Sequence, residues 1–320
     1  MPGAHDARWK VLVTAPRACQ AIDRYRAALG AAGCAVEAHA GVERLDEDEL
    51  VPLVGDADAL ICGDDRLTAR VLEAASRLKV IAKWGTGIDS IDQDAARRRG
   101  IKVCNTPNAF SDPVADSVMG YILLLARGLD RMNNDIHAGV WSHAPLRALS
   151  ECTLGIVGFG HIGTAVARRA AAFGMPILAC DVRSLDEQAA EALGARIVPL
   201  ERVLAESDFV TLHADFRPEN RHLINAKRLA MMRPSAALIN TARGPLVDEE
   251  ALVSALRQGR IAAAALDVFE QEPLPPTSPL MQLPNVYLAP HNANSSPAAA
   301  ERVHANTIRH VVHALESVTS

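Results

Sequence analysis

The chain has 320 residues, 49% of them apolar but only 4% aromatic, with 33 basic against 38 acidic residues and a net charge of −5. That length suits two hydrophobic cores rather than one, built mainly from Ala, Val, Leu and Ile. There is no basic stripe of the kind a nucleic acid requires, and the longest clear apolar run, Tyr121 to Ala126, is far too short to span a bilayer, so neither partner is expected.

From Lys10 onward, short apolar runs alternate with longer amphipathic ones. The predicted strands are Val11–Ala15, Ala35–Ala38, Ala59–Cys62, Lys79–Ala82 and Lys102–Cys104. Between them, residues 17–32, 46–54, 68–77 and 91–99 have helical spacing, with cap-like starts at Thr68 and at Asp89 to Ser90. Units of this βα kind read as a doubly wound parallel sheet. The Pro-containing stretch Asn105–Pro113 interrupts the pattern, and the following helix, Val114–Arg127, is apolar enough to need cover on most faces.

A second alternating series predicts strands at Thr153–Val157, Pro176–Asp181, Phe209–Leu212, Ala236–Asn240, Ala263–Asp267 and Val286–Ala289, after which the chain returns to helix over Pro297–Leu315. The expected fold class is therefore α/β, two doubly wound parallel-sheet domains. A Rossmann domain over residues 113–292 is inserted into a discontinuous, flavodoxin-like first domain, 1–112 with 293–320, which the last helix closes. The six cysteines lack CxxC spacing and several sit in strand-like runs, so they read as reduced, buried thiols, and the amino terminus shows no leader pattern. The expected compartment is the cytoplasm.

Leu154-Gly155-Ile156-Val157 runs into Gly158-Phe159-Gly160-His161-Ile162-Gly163, and Ile162, Val166, Ala170 and Phe173 continue at helical spacing to Gly174. In that context Gly158 makes the tight turn, Gly160 admits a pyrophosphate, Gly163 lets helix and sheet approach, and the helix start at His161 and Ile162 faces the phosphates. Asp181 ends the next strand, where a carboxylate accepts from ribose hydroxyls and repels a 2′-phosphate. NAD is thus the expected cofactor, with Arg183 two residues on softening the choice.

Three later strands end in Thr241-Ala242-Arg243-Gly244, in Asp267 through Glu272-Pro273, and in Ala289-Pro290-His291. If they share one parallel sheet, Arg243, Glu272 and His291 emerge together at its carboxyl edge. Hydride transfer to a ketone needs a proton donor, and imidazole titrates near neutrality. A carboxylate such as Glu272 stabilises the imidazolium, and Arg243 offers a planar fork for a substrate carboxylate. Other histidines form no metal set: His304, His310 and His313 lie on the last helix, and His137, His143, His161, His213 and His222 lack comparable partners.

KWGTGIDSID at 83–92, GIVGFGHIG at 155–163, LINTARGPLVDEEAL at 238–252, ALDVFEQEP at 265–273 and APHNANSS at 289–296 together resemble the D-isomer-specific 2-hydroxyacid dehydrogenase family over nearly the whole chain. The resemblance implies that Arg243 binds the substrate carboxylate, His291 is the general acid/base and Glu272 pairs with it. It further implies that Thr241 and Asp267 lie on the cofactor side, Asp267 near the nicotinamide carboxamide, and that the backbone at Thr86 and Gly87 meets the carboxylate from the first domain. It places the site between domains that close on NADH, in an enzyme usually homodimeric, and Trp141–Leu149 suits a subunit boundary.

The expected activity is reduction of glyoxylate, hydroxypyruvate or a similar 2-oxo acid. One alternative is a 3-phosphoglycerate dehydrogenase without regulatory domain, against which Asp64 and Asp65 weigh by repelling a phosphate. The alternative from another class is an NADH-sensing, corepressor-like interaction protein. A methyltransferase reusing the glycine loop leaves Arg243, Glu272 and His291 without a purpose.

Overall fold

A computed structural model describes residues 7–317. The chain divides into two compact units, one made of the chain up to Ala109 together with the segment from Ser296, the other Phe110–Ser295. These divisions fall three residues from those expected at 112 and 293.

In the first unit, β1 (Trp9–Val13), β2 (Cys34–Ala38), β3 (Ala59–Cys62), β4 (Val80–Lys83) and β5 (Lys102–Cys104) form a parallel sheet in the order β2-β1-β3-β4-β5. All residues of β3 and β4 are buried. Helices cover both faces of such a sheet, which is why these strands read as apolar runs, with Lys83 at the end of β4 the exception. Each fully buried Leu, such as Leu12 or Leu60, contributes roughly 1.5–3 kcal/mol of hydrophobic stabilisation. The last helix, Pro297–Ser317, packs on β3, β4, β5 and the helix Ile22–Ala31, burying Ala299, Val303, His304, Thr307 and Val311 at helical spacing.

In the second unit, β6 (Leu154–Val157), β7 (Ile177–Cys180), β8 (Ala195–Ile197), β9 (Phe209–Leu212), β10 (Ala237–Asn240), β11 (Ala263–Leu266) and β12 (Val286–Leu288) are parallel in the order β12-β11-β10-β9-β6-β7-β8. The order reverses between β6 and β9, the place where sheets of this kind bind ligands. The apolar helix Ser111–Arg127 packs on the helix His161–Ala172, and Arg169 reaches Asp116 at 2.7 Å and Asp112 at 3.1 Å.

Several local expectations change. Residues 17–32 form two helices, Pro16–Gln20 and Ile22–Ala31, with Ala21 between them out of helical geometry. Asp92, not Asp89 or Ser90, caps the helix Gln93–Arg98 by accepting from the Ala95 N–H. Phe173 follows the glycine-loop helix rather than lying on its buried face, and it is 45% exposed. β8 was not expected because its three residues, Ala-Arg-Ile, centre on an exposed Arg196 at the sheet edge. A further unexpected helix, Leu129–His137, starts where Gly128, at φ +52°, ends the apolar one. No helix among the described residues is long and apolar enough to cross a membrane, and all six cysteines are free thiols.

Candidate active site

Val157 pairs with Cys180 on one side and Leu212 on the other, so Gly158 begins where three strand ends meet. Gly158 turns at φ +95°, and a Cβ there would lie 2.6 Å from the Ala214 nitrogen. A Cβ on Gly163 would lie 2.2 Å from the Gly158 carbonyl oxygen. Gly160 differs, since the nearest atom to a Cβ there is Arg183 Nη2 at 3.6 Å, which leaves its backbone approachable. The helix begins at His161 and Ile162 with no acidic residue in its first turn, so its positive end is unopposed by its own side chains.

At the end of β7, Asp181 accepts from the Phe159 N–H at 2.8 Å and is gripped by Arg183 through Nε at 3.0 Å and Nη2 at 2.8 Å. The Arg183 side chain, aided by the backbone N–H groups of Phe159 and of Arg183 itself, pulls its carboxyl down to about 2. The two residues weighed separately on the sequence thus act as one ion pair. Past the ends of β9 and β10, His213 Nδ1 and Thr241 Oγ1 are buried with no hydrogen-bond partner among the described residues. His213 follows β9 at the glycine turn, a location its sequence neighbours do not reveal, and burial pushes its imidazole down to about 3. Two glycines that a Cβ would jam, an open helix start, a strand-end acid and orphaned buried polar atoms together fit a dinucleotide.

Asn240, Leu266 and Leu288 lie in register, so the chain leaves β10, β11 and β12 at one level. His291 then adopts φ +48° and donates its N–H to the Asp267 carbonyl at 2.8 Å. The Asp267 side chain, 1% exposed, accepts the N–H groups of Asn292 and Ala293 at 2.9 Å each and so pins the turn carrying the imidazole. Burial raises the pKa of this carboxyl.

Glu272 Oε1 accepts the Phe269 N–H at 2.9 Å, and Oε2 lies 3.0 Å from His291 Nδ1. A carboxylate accepts only, so Nδ1 carries the proton of that bond and Nε2 is left for chemistry.

Arg243 leaves β10 through a turn fixed by Asn240, whose amide donates to the Arg243 carbonyl at 2.9 Å and accepts from the Ala242 N–H at 3.1 Å. A Cβ on Gly244 would fall 1.9 Å from the Phe269 carbonyl, so the arginine turn and the Glu272 loop are in backbone contact. A brace that sequence reading missed locks them further. Glu249 accepts the Glu270 N–H at 2.6 Å, and Glu270 pairs with His222 at 2.8 Å and Arg221 at 3.0 Å.

Thr86 and Gly87 belong to the other unit, just past β4. Gly85 turns at φ +145°, Thr86 Oγ1 donates to the Thr106 carbonyl at 3.1 Å, and Asn105 donates to the Thr86 carbonyl at 2.5 Å. The reading of Asp64 and Asp65 as a phosphate-repelling pair is corrected. Asp65 is fully buried and accepts from Thr14 Oγ1 and the backbone of Leu45 and Gly63, while Asp64 is neutralised by the buried Lys83 at 2.6 Å.

Residues 119–293 match the family described as D-isomer specific 2-hydroxyacid dehydrogenase, NAD binding domain. A glyoxylate reductase of Korarchaeum cryptofilum is 44% identical over 79% of this chain and 78% of its own length. A hydroxypyruvate reductase of Thermotoga maritima is 40% identical over 82% and 86%. Among solved structures, a D-lactate dehydrogenase from Aquifex aeolicus complexed with NAD and lactic acid superposes with a TM-score of 0.87 at 29% identity, covering 96% of each chain. The chain belongs to the D-isomer-specific 2-hydroxyacid dehydrogenases, as the sequence resemblance implied. It is an NAD-dependent oxidoreductase acting on the CH–OH group of D-2-hydroxyacids, and NAD is its cofactor.

Proposed function

We propose that this dehydrogenase works as a reductase of small unphosphorylated 2-oxo acids, glyoxylate or hydroxypyruvate. The observation that carries the chemistry is the His291–Glu272 pair at 3.0 Å, on the same sheet edge as Arg243 and the glycine turn. The names of the relatives carry the choice of substrate.

In this reading residues 113–292 bind NAD, and 1–112 with 293–320 bind substrate. Gly158, Gly160, His161, Ile162 and Gly163 cradle the pyrophosphate, Asp181 takes the ribose hydroxyls, and Thr241 lines the same side. Asp267 stands at the carboxamide side while holding the His291 turn. Bound NADH supplies the hydride to C2 of the oxo acid. The Arg243 fork grips the substrate carboxylate, with the Thr86 and Gly87 backbone as a second contact. His291 Nε2 delivers the proton to the oxygen that becomes hydroxyl, and Glu272 holds Nδ1–H so that Nε2 points at it. In the oxidative direction the neutral Nε2 takes that proton back.

NADH oxidation with glyoxylate, hydroxypyruvate and 3-phosphohydroxypyruvate under identical conditions tests the reading. Preference for the unphosphorylated acids supports it. Preference for the phosphorylated one overturns it in favour of a 3-phosphoglycerate dehydrogenase, which Asp64 and Asp65 do not oppose, since one is buried and the other paired.

We also propose a cytoplasmic homodimer. Leu129, Met132 and Ile136 repeat along one side of their helix and, with Val140 and Trp141, leave 37–80% of their surfaces exposed, an apolar row suited to a second copy. Light scattering that finds a strict monomer removes this part.

A further inference from the structure

The Trp84 side chain is nearly buried, and its indole N–H donates to His304 Nδ1 at 3.1 Å. The Tyr25 hydroxyl reaches the same nitrogen at 2.8 Å. Both rings meet the imidazole edge to face, with centroids 5.3 Å away for Trp84 and 5.5 Å for Tyr25. An indole nitrogen only donates, so Nδ1 must be the bare nitrogen and the His304 proton sits on Nε2. The tautomer follows from the partners.

His304 is carried by the last helix, 220 positions from Trp84. That helix is tied to the helix of Tyr25 by a two-bonded Arg24–Glu301 pair at 2.5 and 2.7 Å. Trp84 itself is the first residue past β4. Its N–H is held by the Cys62 carbonyl at 2.8 Å, the chain turns at Gly85, and Thr86 and Gly87 follow. The side chain of Trp84 therefore fixes the root of a short loop whose tip carries the two residues assigned to the substrate carboxylate.

We propose that Tyr25, Trp84 and His304 form a clamp through which the last helix sets the position of the Thr86–Gly87 loop, making His304 a positioning residue for the substrate carboxylate. This rests on the reading that the loop meets that carboxylate. The clamp touches neither the reacting atoms nor the nucleotide residues, so its loss acts on KM for the oxo acid and not on kcat or on NADH binding.

The test compares His304→Leu, which removes the acceptor, with His304→Asn, whose carbonyl oxygen stands near the Nδ1 position. With glyoxylate as substrate, His304→Leu is expected to raise KM about five- to tenfold, the worth of roughly one hydrogen bond, while kcat and the Kd for NADH hold. His304→Asn should restore most of the loss. An unchanged KM, a matching fall in kcat, or a rise that His304→Asn fails to restore overturns the clamp.

If His304→Leu does not fold, Trp84→Phe keeps an aromatic ring in place of the indole but no N–H, and is held to the same KM-against-kcat split. Gly87→Pro, which removes the backbone N–H assigned to the carboxylate, is run in parallel and tells the role of the loop from that of the clamp. If it leaves KM for glyoxylate unchanged, the loop is not the carboxylate site and the proposal falls with that reading. If it raises KM while His304→Leu and Trp84→Phe do not, the clamp alone is wrong.

Discussion

Within the Phe110–Ser295 unit, the end of β6 is shaped by leaving side chains out, whereas the ends of β10, β11 and β12 crowd charged ones together around a single jammed glycine, Gly244. Gly158 and Gly163 are needed because a Cβ would strike backbone at 2.6 and 2.2 Å. At the other edge the side chains do the holding: Asp267 pins the turn of His291, and Glu272 lies 3.0 Å from its ring. Two aspartates sharpen the contrast. Asp181 and Asp267 each follow the last residue of a parallel strand, yet Arg183 pulls the first down to about 2 while burial raises the second. Strand position supplies the location, while a partner in one case and burial in the other set the direction of the pKa shift.

The largest effect that would sharpen this contrast belongs to the crowded edge. His291→Ala should lose roughly 100- to 10,000-fold in turnover with the Kd for NADH unchanged. Retained turnover would remove His291 from the chemistry. At the bare edge, Gly163→Ala puts a methyl against the Gly158 carbonyl and should cost about 1–3 kcal/mol of stability, with weaker NADH binding. A variant with unaltered melting temperature and NADH affinity would break the claim that this edge depends on missing side chains.

Glu272→Gln keeps the shape but removes the negative charge 3.0 Å from the imidazole. The alkaline limb of kcat/KM for reduction should then move to lower pH, and an unmoved limb would separate Glu272 from the proton.

The smallest effect concerns Asp181. Its folded value, about 2, lies below the ordinary 3.8, so the Arg183 pair stabilises the fold above that ordinary value, and this contribution fades as pH falls through about 2. Arg183→Ala should therefore lower the urea midpoint at pH 5, with the gap to the parent closing in stronger acid. A gap that persists in acid would mean the pair is not its source.

The glycine cradle was legible in the sequence because its parts lie within a few residues and each glycine meets a local steric demand. The convergence of Arg243, Glu272 and His291 was legible because apolar runs mark the strands that carry them, and parallel strands deliver their ends to one edge. What stayed hidden was pairing at long range. Glu249 and Glu270 are separated by 21 positions and Trp84 and His304 by 220, with no periodicity to join them. Asp64 and Asp65 were misread because adjacent residues in a loop gave no sign that one is buried and the other paired. β8 was missed because its centre is an exposed arginine.

The return of the last helix to the first unit also has a bearing on synthesis. The Phe110–Ser295 unit is continuous, so its sheet and cover are complete once that stretch has left the ribosome. The first unit has all its strands much earlier, yet His304, the acceptor for both Tyr25 and Trp84, is made only after the whole Phe110–Ser295 unit. The amino-terminal sheet therefore lacks the helix that packs on β3, β4 and β5 until the continuous unit has been made, so that unit can close before the first one is complete.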